Sequence, residues 1–151
     1  MKKILLIIIV VSFSCKAQDN SISSKELTIN NSIILGGSLT NLTLIYGDPI
    51  EIEKSFSEMD EVDMFFYKYN GINFTIKENT VSTFRITSNK FNLTKHNIKI
   101  GDNISILKSI YPLSYENKIN DGITLVLDDM DMFLVISYNN NIIDKIALYT
   151  Y

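Results

Sequence analysis

The chain has 151 residues, of which 46% are hydrophobic and 21% charged, with 14 basic against 17 acidic side chains. This composition excludes a disordered polymer, and the length predicts one folded domain. The acidic excess argues against a nucleic-acid partner, because nucleic acids recruit basic surfaces. A single Cys excludes an internal disulfide, and a single His excludes a metal site built from several His.

The N-terminus has the pattern of an export signal. Lys2 and Lys3 precede a nearly unbroken apolar run over residues 4–13. Ten helical residues rise about 15 Å, which is about half the thickness of a membrane's hydrocarbon core, so this run is too short to span a bilayer. We therefore predict a signal peptide over residues 1–14 that is removed from the mature protein.

Two cleavage positions fit the end of this run. The sequence SFSC over residues 12–15 resembles a bacterial lipobox, in which Cys15 is acylated and becomes the first residue. This interpretation predicts an outer-membrane lipoprotein that faces the periplasm, contacts the membrane only through its N-terminal lipid, and has a flexible tether over residues 15–31. The alternative is cleavage after Ala17, which would release a soluble periplasmic protein.

Two short amphipathic helices are predicted, one in each half of the remaining chain. Ser38 and Asn103 are candidate N-caps, since their side-chain oxygens can accept from amides of the first turn. Gly47-Asp48-Pro49 and Pro112 should end the two helices. The predicted buried stripes are Leu39, Leu42, Ile45 and Tyr46 in the first helix, and Ile104, Leu107, Ile110 and Tyr111 in the second. Helices this short need a sheet to pack on.

Alternating apolar and polar residues predict β-strands after each helix. The predicted strands are residues 50–56, 64–69, 72–76 and 81–86 in the first half, and 123–127, 134–138 and 143–148 in the second. Asn70-Gly71 and the Asn run over residues 139–141 predict hairpin turns, because Asn and Gly tolerate positive φ. The alternation breaks at residues 81–84 and again at 143–146, which predicts a turn or β-bulge at both places.

The two halves align with each other. Residues 33–46 match residues 98–111 at a constant offset, and a second constant offset relates the strands of the two halves. We therefore predict a single domain over residues 32–151, made of two repeats at 32–93 and 94–151.

A short motif in the first half carries a family resemblance. ILGGS over residues 34–38, followed by Leu42 and by YGDP over residues 46–49, is similar to a motif of the SmpA/OmlA outer-membrane lipoproteins. The tandem arrangement resembles the β-lactamase-inhibitor-protein-like fold. The resemblance implies an α+β domain in which two units, each a short helix and an antiparallel β-meander, form one sheet covered by helices. It also implies a protein-binding or envelope-assembly role without catalysis.

No residue pattern indicates reaction chemistry. The acidic residues cluster twice, but neither cluster has the spacing of a calcium-binding loop, so no metal site is predicted. These clusters are Glu58, Asp60, Glu61 and Asp63, and Asp128, Asp129 and Asp131. His96 is expected to be a solvated residue between the repeats, since no nucleophile motif accompanies it. We therefore predict no catalytic residue, no cofactor and no enzyme activity.

One strand and the turn before it form the candidate partner-binding site. Tyr67 and Tyr69 share a face of the predicted strand, and Asp60 and Glu61 lie in the acidic turn. Exposed Tyr beside charge is typical of protein-binding surfaces, although Tyr packed at a sheet margin is the alternative. We predict a protein-binding or assembly module whose partner is an unidentified envelope protein, with no small-molecule substrate. The alternative function is an inhibitor or immunity protein that blocks a hydrolase or toxin with its sheet face.

Overall fold

The computed structural model describes residues 21–58, 60–94, 96–119 and 121–151. The strands are β1 (Ser21–Ile22), β2 (Thr28–Ile29), β3 (Ser32–Ile33), β4 (Glu51–Ser57), β5 (Val62–Tyr69), β6 (Ile72–Lys77), β7 (Thr80–Ile86), β8 (Gly122–Leu127), β9 (Met132–Asn139) and β10 (Ile142–Thr150). The helices are α1 (Leu39–Tyr46), α2 (Leu107–Ile110) and α3 (Pro112–Glu116), and a 3₁₀ turn (Ile104–Ile106) leads into α2.

Within the described residues, eight strands form one sheet in the order β4-β5-β6-β7-β10-β9-β8-β1. The pairs are antiparallel, apart from the short parallel pair of β1 with β8. The two halves of the chain join where Ile86 of β7 lies opposite Ile146 of β10. The predicted α+β class, with one large and mostly antiparallel sheet, is confirmed.

The helices pack on one face of this sheet and form the core with it. Along β6 the buried side chains alternate with half-buried ones, so Ile72 and Phe74 point to the core. Leu42 of α1 and Leu107 of α2 are buried in the same cluster. We call this side the covered face and the opposite side the open face.

The helix starts follow the predicted caps, but two details of the helices differ from the prediction. Ser38 Oγ accepts from the Asn41 amide at 3.2 Å, and Asn103 Oδ1 accepts from the Ser105 amide at 3.0 Å. Ile45, predicted to be in the buried stripe, is half exposed. Pro112 was expected only as a stop signal, yet it begins α3, because proline lacks the amide that the first helical turn leaves unpaired anyway.

Hairpin turns and bulges lie where the sequence pattern predicts them. Gly71 has φ +87° between β5 and β6, and Asn140 and Asn141 have positive φ between β9 and β10. The register of β6 with β7 shifts opposite Val81–Thr83, and that of β9 with β10 shifts between Ile143 and Lys145. An extra residue therefore interrupts the pairing at both predicted breaks.

Residues 21–31 differ from the predicted tether. Ile22, Leu27 and Ile29 are at most 1% exposed and belong to the core. β1 extends the sheet beside β8, while β2 and β3 form a hairpin that turns at Asn30 and Asn31 with positive φ. This segment is part of the folded unit, which therefore includes residue 21 and does not begin at residue 32. The predicted signal peptide and Cys15 lie outside the described residues.

No helix in the described part of the chain is both long and apolar enough to cross a membrane.

Candidate functional site

Tyr67 and Tyr69, predicted as exposed binding residues, point to the covered face and pack against the core. The Tyr69 ring centroid lies 5.7 Å from that of Tyr46 and 5.9 Å from that of Phe74. Its hydroxyl donates to the Gly47 carbonyl oxygen at 3.3 Å. For Tyr69 the structure therefore matches the alternative interpretation, packing at the margin of the sheet.

This aromatic contact also affects the acidity of the phenols. Burial, followed by the nearby Tyr69, raises the pKa of Tyr46 to about 12. Burial is likewise the main reason that the pKa of Tyr69 is raised, with Tyr67 and Asp48 adding to it. A phenol of ordinary pKa is already neutral at physiological pH, and these shifts extend the neutral range of both rings to higher pH.

Asp60 and Glu61 lie in the turn between β4 and β5, far from these tyrosines. At about 3.3 Å per residue, Tyr69 is about 23 Å along β5 from Val62, where the strand begins. Asp60 pairs with Lys77 and accepts from Ser57 Oγ at 3.0 Å, and these contacts, Lys77 first, lower its pKa. The structure therefore does not bring the predicted tyrosines and acids together in one site.

The second acidic cluster has a structural contact that the sequence did not indicate. Asp129 accepts from the Ser24 amide at 2.9 Å, from Ser24 Oγ at 2.7 Å and from Ser23 Oγ at 3.2 Å. These bonds, that of the Ser24 amide first, lower the pKa of Asp129. The acidic turn between β8 and β9 thus holds the segment that follows β1.

The residues considered for metal or catalytic chemistry are not assembled into a site. Among the described residues, no three of the His, Cys, Asp and Glu side chains converge closely enough to hold a metal ion. His96 is exposed, and its ring lies edge-on to Tyr111 with centroids 6.0 Å apart.

The open face carries a cleft of about 460 Å³ that spans β5, β6, β7 and β10. Short side chains at Thr75, Thr83 and Ala147 lie between longer ones at Phe66 and Tyr149. Thr83 Oγ1 donates to Thr75 Oγ1 at 2.7 Å, so the two hydroxyls in the middle bond to each other. The cleft is therefore a depression in the rigid sheet with aromatic side chains on both sides.

Aromatic side chains continue from the cleft across β9 and β10. The rings of Tyr149 and Phe133 stack with centroids 5.5 Å apart and an interplanar angle of 24°. Phe133 also contacts Tyr151, with centroids 5.0 Å apart. These contacting rings form a partly apolar surface beside the cleft.

The cations that line the cleft differ in their partners. Lys68 pairs with Glu53 and with Glu51 (3.1 Å to the latter), and these acids, Glu53 first, raise its pKa. Lys77 pairs with Asp60. Arg85 is exposed and has no acidic partner within ion-pair distance among the described residues. Its guanidinium is therefore the cation in this cleft that is available to an incoming carboxylate.

The predicted Tyr67 and Tyr69 lie on the opposite face of β5, so the sequence pattern that selected them did not indicate this cleft. The signal that could have found it is the other set of alternating residues, which places Phe66, Asn73 and Arg85 on neighbouring strands.

Comparisons with known proteins give a likeness of fold. No family model and no curated protein matches the chain. An extracellular protein containing an SCP domain from Bacillus anthracis str. Ames superposes with a TM-score of 0.50 and 13% identity, over 78% of this chain and 44% of that one. A cysteine-rich secretory protein from Staphylococcus aureus subsp. aureus Mu50 gives 0.48 and 11%, with the same coverages. The chain thus spans less than half the length of each neighbour.

Proposed function

We propose that the chain is an exported, non-catalytic module that binds an envelope protein on the open face of its sheet. The observation that carries the proposal is the cleft, which is lined by aromatic side chains and by an exposed Arg85 with no acidic partner in the described part of the chain. Tyr and Arg are among the residues that contribute most to binding energy in protein interfaces. A hydrogen-bonded sheet also loses little conformational entropy when a partner docks on it.

The chemistry of the cleft favours a partner that presents a carboxylate beside an apolar side chain. A guanidinium can hold a carboxylate through two parallel hydrogen bonds, and the rings of Phe66 and Tyr149 in the same cleft can contact an apolar side chain beside it. The hydroxyls of Thr75 and Thr83 already bond to each other, which supports a binding role for this surface rather than a nucleophilic one.

Capture of the partner from envelope extracts tests this proposal. Arg85→Glu should weaken capture by about tenfold or more, because it places a carboxylate opposite the partner's own. The matched control is Glu61→Gln, which changes the acidic turn and keeps Asp60, the partner of the cleft-lining Lys77. Loss of capture in the control with full capture by Arg85→Glu would refute the cleft and return the interface to the acidic turn.

The same open face is also compatible with the second candidate function, an inhibitor or immunity protein. A sheet face with a cleft can lie over a protruding loop of a hydrolase or toxin. The identity of the captured protein separates the two functions. A resident protein of the envelope supports the assembly module, whereas a hydrolase or toxin whose activity falls on binding supports the inhibitor.

We further propose that residues 1–14 direct export and that a lipid on Cys15 anchors the chain to the outer membrane. The lipobox-like residues 12–15 support this, and the alternative remains cleavage after Ala17. Cys15→Ala should release the protein from membranes and abolish its labelling by a fatty-acid analogue. A mature N-terminus at Gln18 would contradict the anchor.

We also propose that the two halves are copies of one unit, as in the β-lactamase-inhibitor-protein-like fold that the tandem arrangement resembles. Two matched pairs support this: Ile72 lies opposite Ile86 on β6 and β7, and Leu134 lies opposite Leu148 on β9 and β10. In both hairpins the register shift also lies three to five residues before the second residue of the pair. It lies at Val81–Thr83 before Ile86, and at Ile143–Lys145 before Leu148. A structure of a related chain with only one unit would test the proposal.

A further inference from the structure

Among the strands of the described residues, β4 ends the sheet with a long unpaired edge. It is the last strand on its side and pairs with β5 over seven residues, Glu51–Ser57. Six of these seven residues are exposed. The outer edge of such a strand presents backbone N–H and C=O groups that another strand can pair with.

Large apolar side chains are exposed along this edge. Ile52 and Phe56 of β4 are 52% and 57% exposed, although both point to the covered side of the sheet. Ile50, just before the strand, is also exposed. Exposed apolar residues that cluster at one sheet edge indicate a protein contact.

We propose that β4 pairs antiparallel with β4 of a second copy of this chain, with Lys54 on the twofold axis. In this register Ile52 lies opposite Phe56 of the other copy, on the same side of the joined sheet. Glu53 lies opposite Ser55, and Glu51 lies opposite Ser57, so neither carboxylate faces a like charge. The edge is therefore complementary to itself, as a twofold contact requires.

Two lysines meet on the twofold axis, and the structure reduces their repulsion. Lys54 Nζ lies 2.7 Å from the Asp63 carboxylate of its own chain and 5.7 Å from the centre of the Phe65 ring. Its charge is thus directed to β5 and balanced within the chain. A register centred on Glu53 is less favourable, because it places Ile52 opposite a lysine and the two Glu53 side chains opposite each other.

Disulfide trapping of the full-length chain in intact cells tests this pairing. Lys54→Cys would bring two thiols together on the axis, at a Cα separation of about 4.5–5.5 Å, which suits a disulfide. The matched control is Thr124→Cys, which is exposed on β8 at the opposite side of the sheet. Both variants keep Cys15, so crosslinking through that residue would occur equally in the two.

We expect a covalent dimer of Lys54→Cys on oxidation and at least about tenfold less from Thr124→Cys. Equal crosslinking of both variants, or none at Lys54→Cys, would overturn the proposal. A crosslink from Lys54→Cys to a different protein would also overturn it, in favour of a foreign strand at this edge.

Sedimentation of the purified full chain in detergent gives a second test. The double variant Ile52→Glu and Phe56→Glu should raise the dimer dissociation constant by at least about tenfold, because it replaces both apolar pairs with charges. Its far-ultraviolet circular dichroism should match the parent, since both side chains are exposed. A parent that is monomeric at tens of micromolar, or a folded variant that dimerises as strongly as the parent, would refute the β4 contact.

Discussion

Strands β8 and β4, near the two ends of the sheet, have similar alternating sequences but different surroundings. The inward side chains of β8, namely Ile123, Leu125 and Leu127, are at most 2% exposed. The corresponding side chains of β4, Ile52 and Phe56, are more than half exposed. An alternating strand therefore becomes core or surface according to what else packs beside it.

At β8, the segment that begins with β1 packs beside the strand. β1 pairs beside β8, and the following turn is held by Asp129 through Ser23 and Ser24. Ile22 of β1 and Ile29 of β2 join the same core. At β4 no described segment takes this position, so the apolar side chains there remain available to a second copy.

The largest expected effect compares side-chain truncations in β8 and β4. Leu125→Ala removes a fully buried side chain and should lower the free energy of unfolding by about 2–5 kcal/mol. The matched variant Ile52→Ala should change it by less than about 0.5 kcal/mol in the monomer, because a surface truncation leaves no cavity. Urea unfolding of both variants at low protein concentration measures the difference. Equal losses would mean that β4 is covered in solution by a segment of its own chain.

A smaller effect should come from the segment that covers β8. Ile22→Val removes one buried methylene and should cost about 0.5–1.5 kcal/mol of unfolding free energy. Ile50→Val, at an exposed position beside β4, should be neutral within error. Thermal unfolding of the two variants measures the difference between them. A neutral Ile22→Val would show that residues 21–22 contribute little to the core and would restore the predicted tether at this position.

The smallest expected effect is the pH dependence of the two carboxylates near the edges. The pKa of Asp129 is lowered in the folded chain, so its contribution is complete above the ordinary value of about 3.9 and is lost as the pH falls through the lower folded value. When the pH is lowered, the free energy of unfolding of Asp129→Asn should therefore fall by less than that of the parent. Asp60→Asn should behave in the same way, because the pKa of Asp60 is also lowered.

Amide hydrogen exchange can show which part of the molecule each of these two substitutions affects. Asp129→Asn should alter the protection of Ile22, since Asp129 holds the adjacent Ser23 and Ser24. Asp60→Asn should leave that amide unchanged, because its partners Ser57 and Lys77 lie at the other side of the sheet. A change at Ile22 in both variants would mean that the two edges are coupled.

Local signals in the sequence account for much of the fold. Helix caps act over three residues and strand alternation over five, so Ser38, Asn103 and the main strands could be located without knowledge of their partners. The packing of residues 21–31 could not be predicted in this way. β1 has only two residues, and its partner β8 lies about a hundred residues further along the chain.

The candidate site was missed for a different physical reason. Strand β5 carries large apolar or aromatic side chains on both faces, with Met64 and Phe66 on one side and Phe65, Tyr67 and Tyr69 on the other. Its alternation therefore does not indicate which face is buried. The decision depends on α1, whose Tyr46 packs against Tyr69 and fixes the covered side. Only the assembled structure contains that information.

The position of β1 limits how an anchored protein could lie on a membrane. The six Cα–Cα steps from Cys15 to Ser21 can span at most about 20 Å. A lipid on Cys15 would therefore hold the β8 side of the sheet close to the membrane. The proposed dimer joins two sheets of eight strands, so fifteen spacings of about 4.8 Å separate the two β1 strands. Measured along the sheet, the two lipid attachment points are thus about 70 Å apart. Both lipids can then insert only if the joined sheet lies flat, with one face towards the lipid headgroups and the other towards the periplasm.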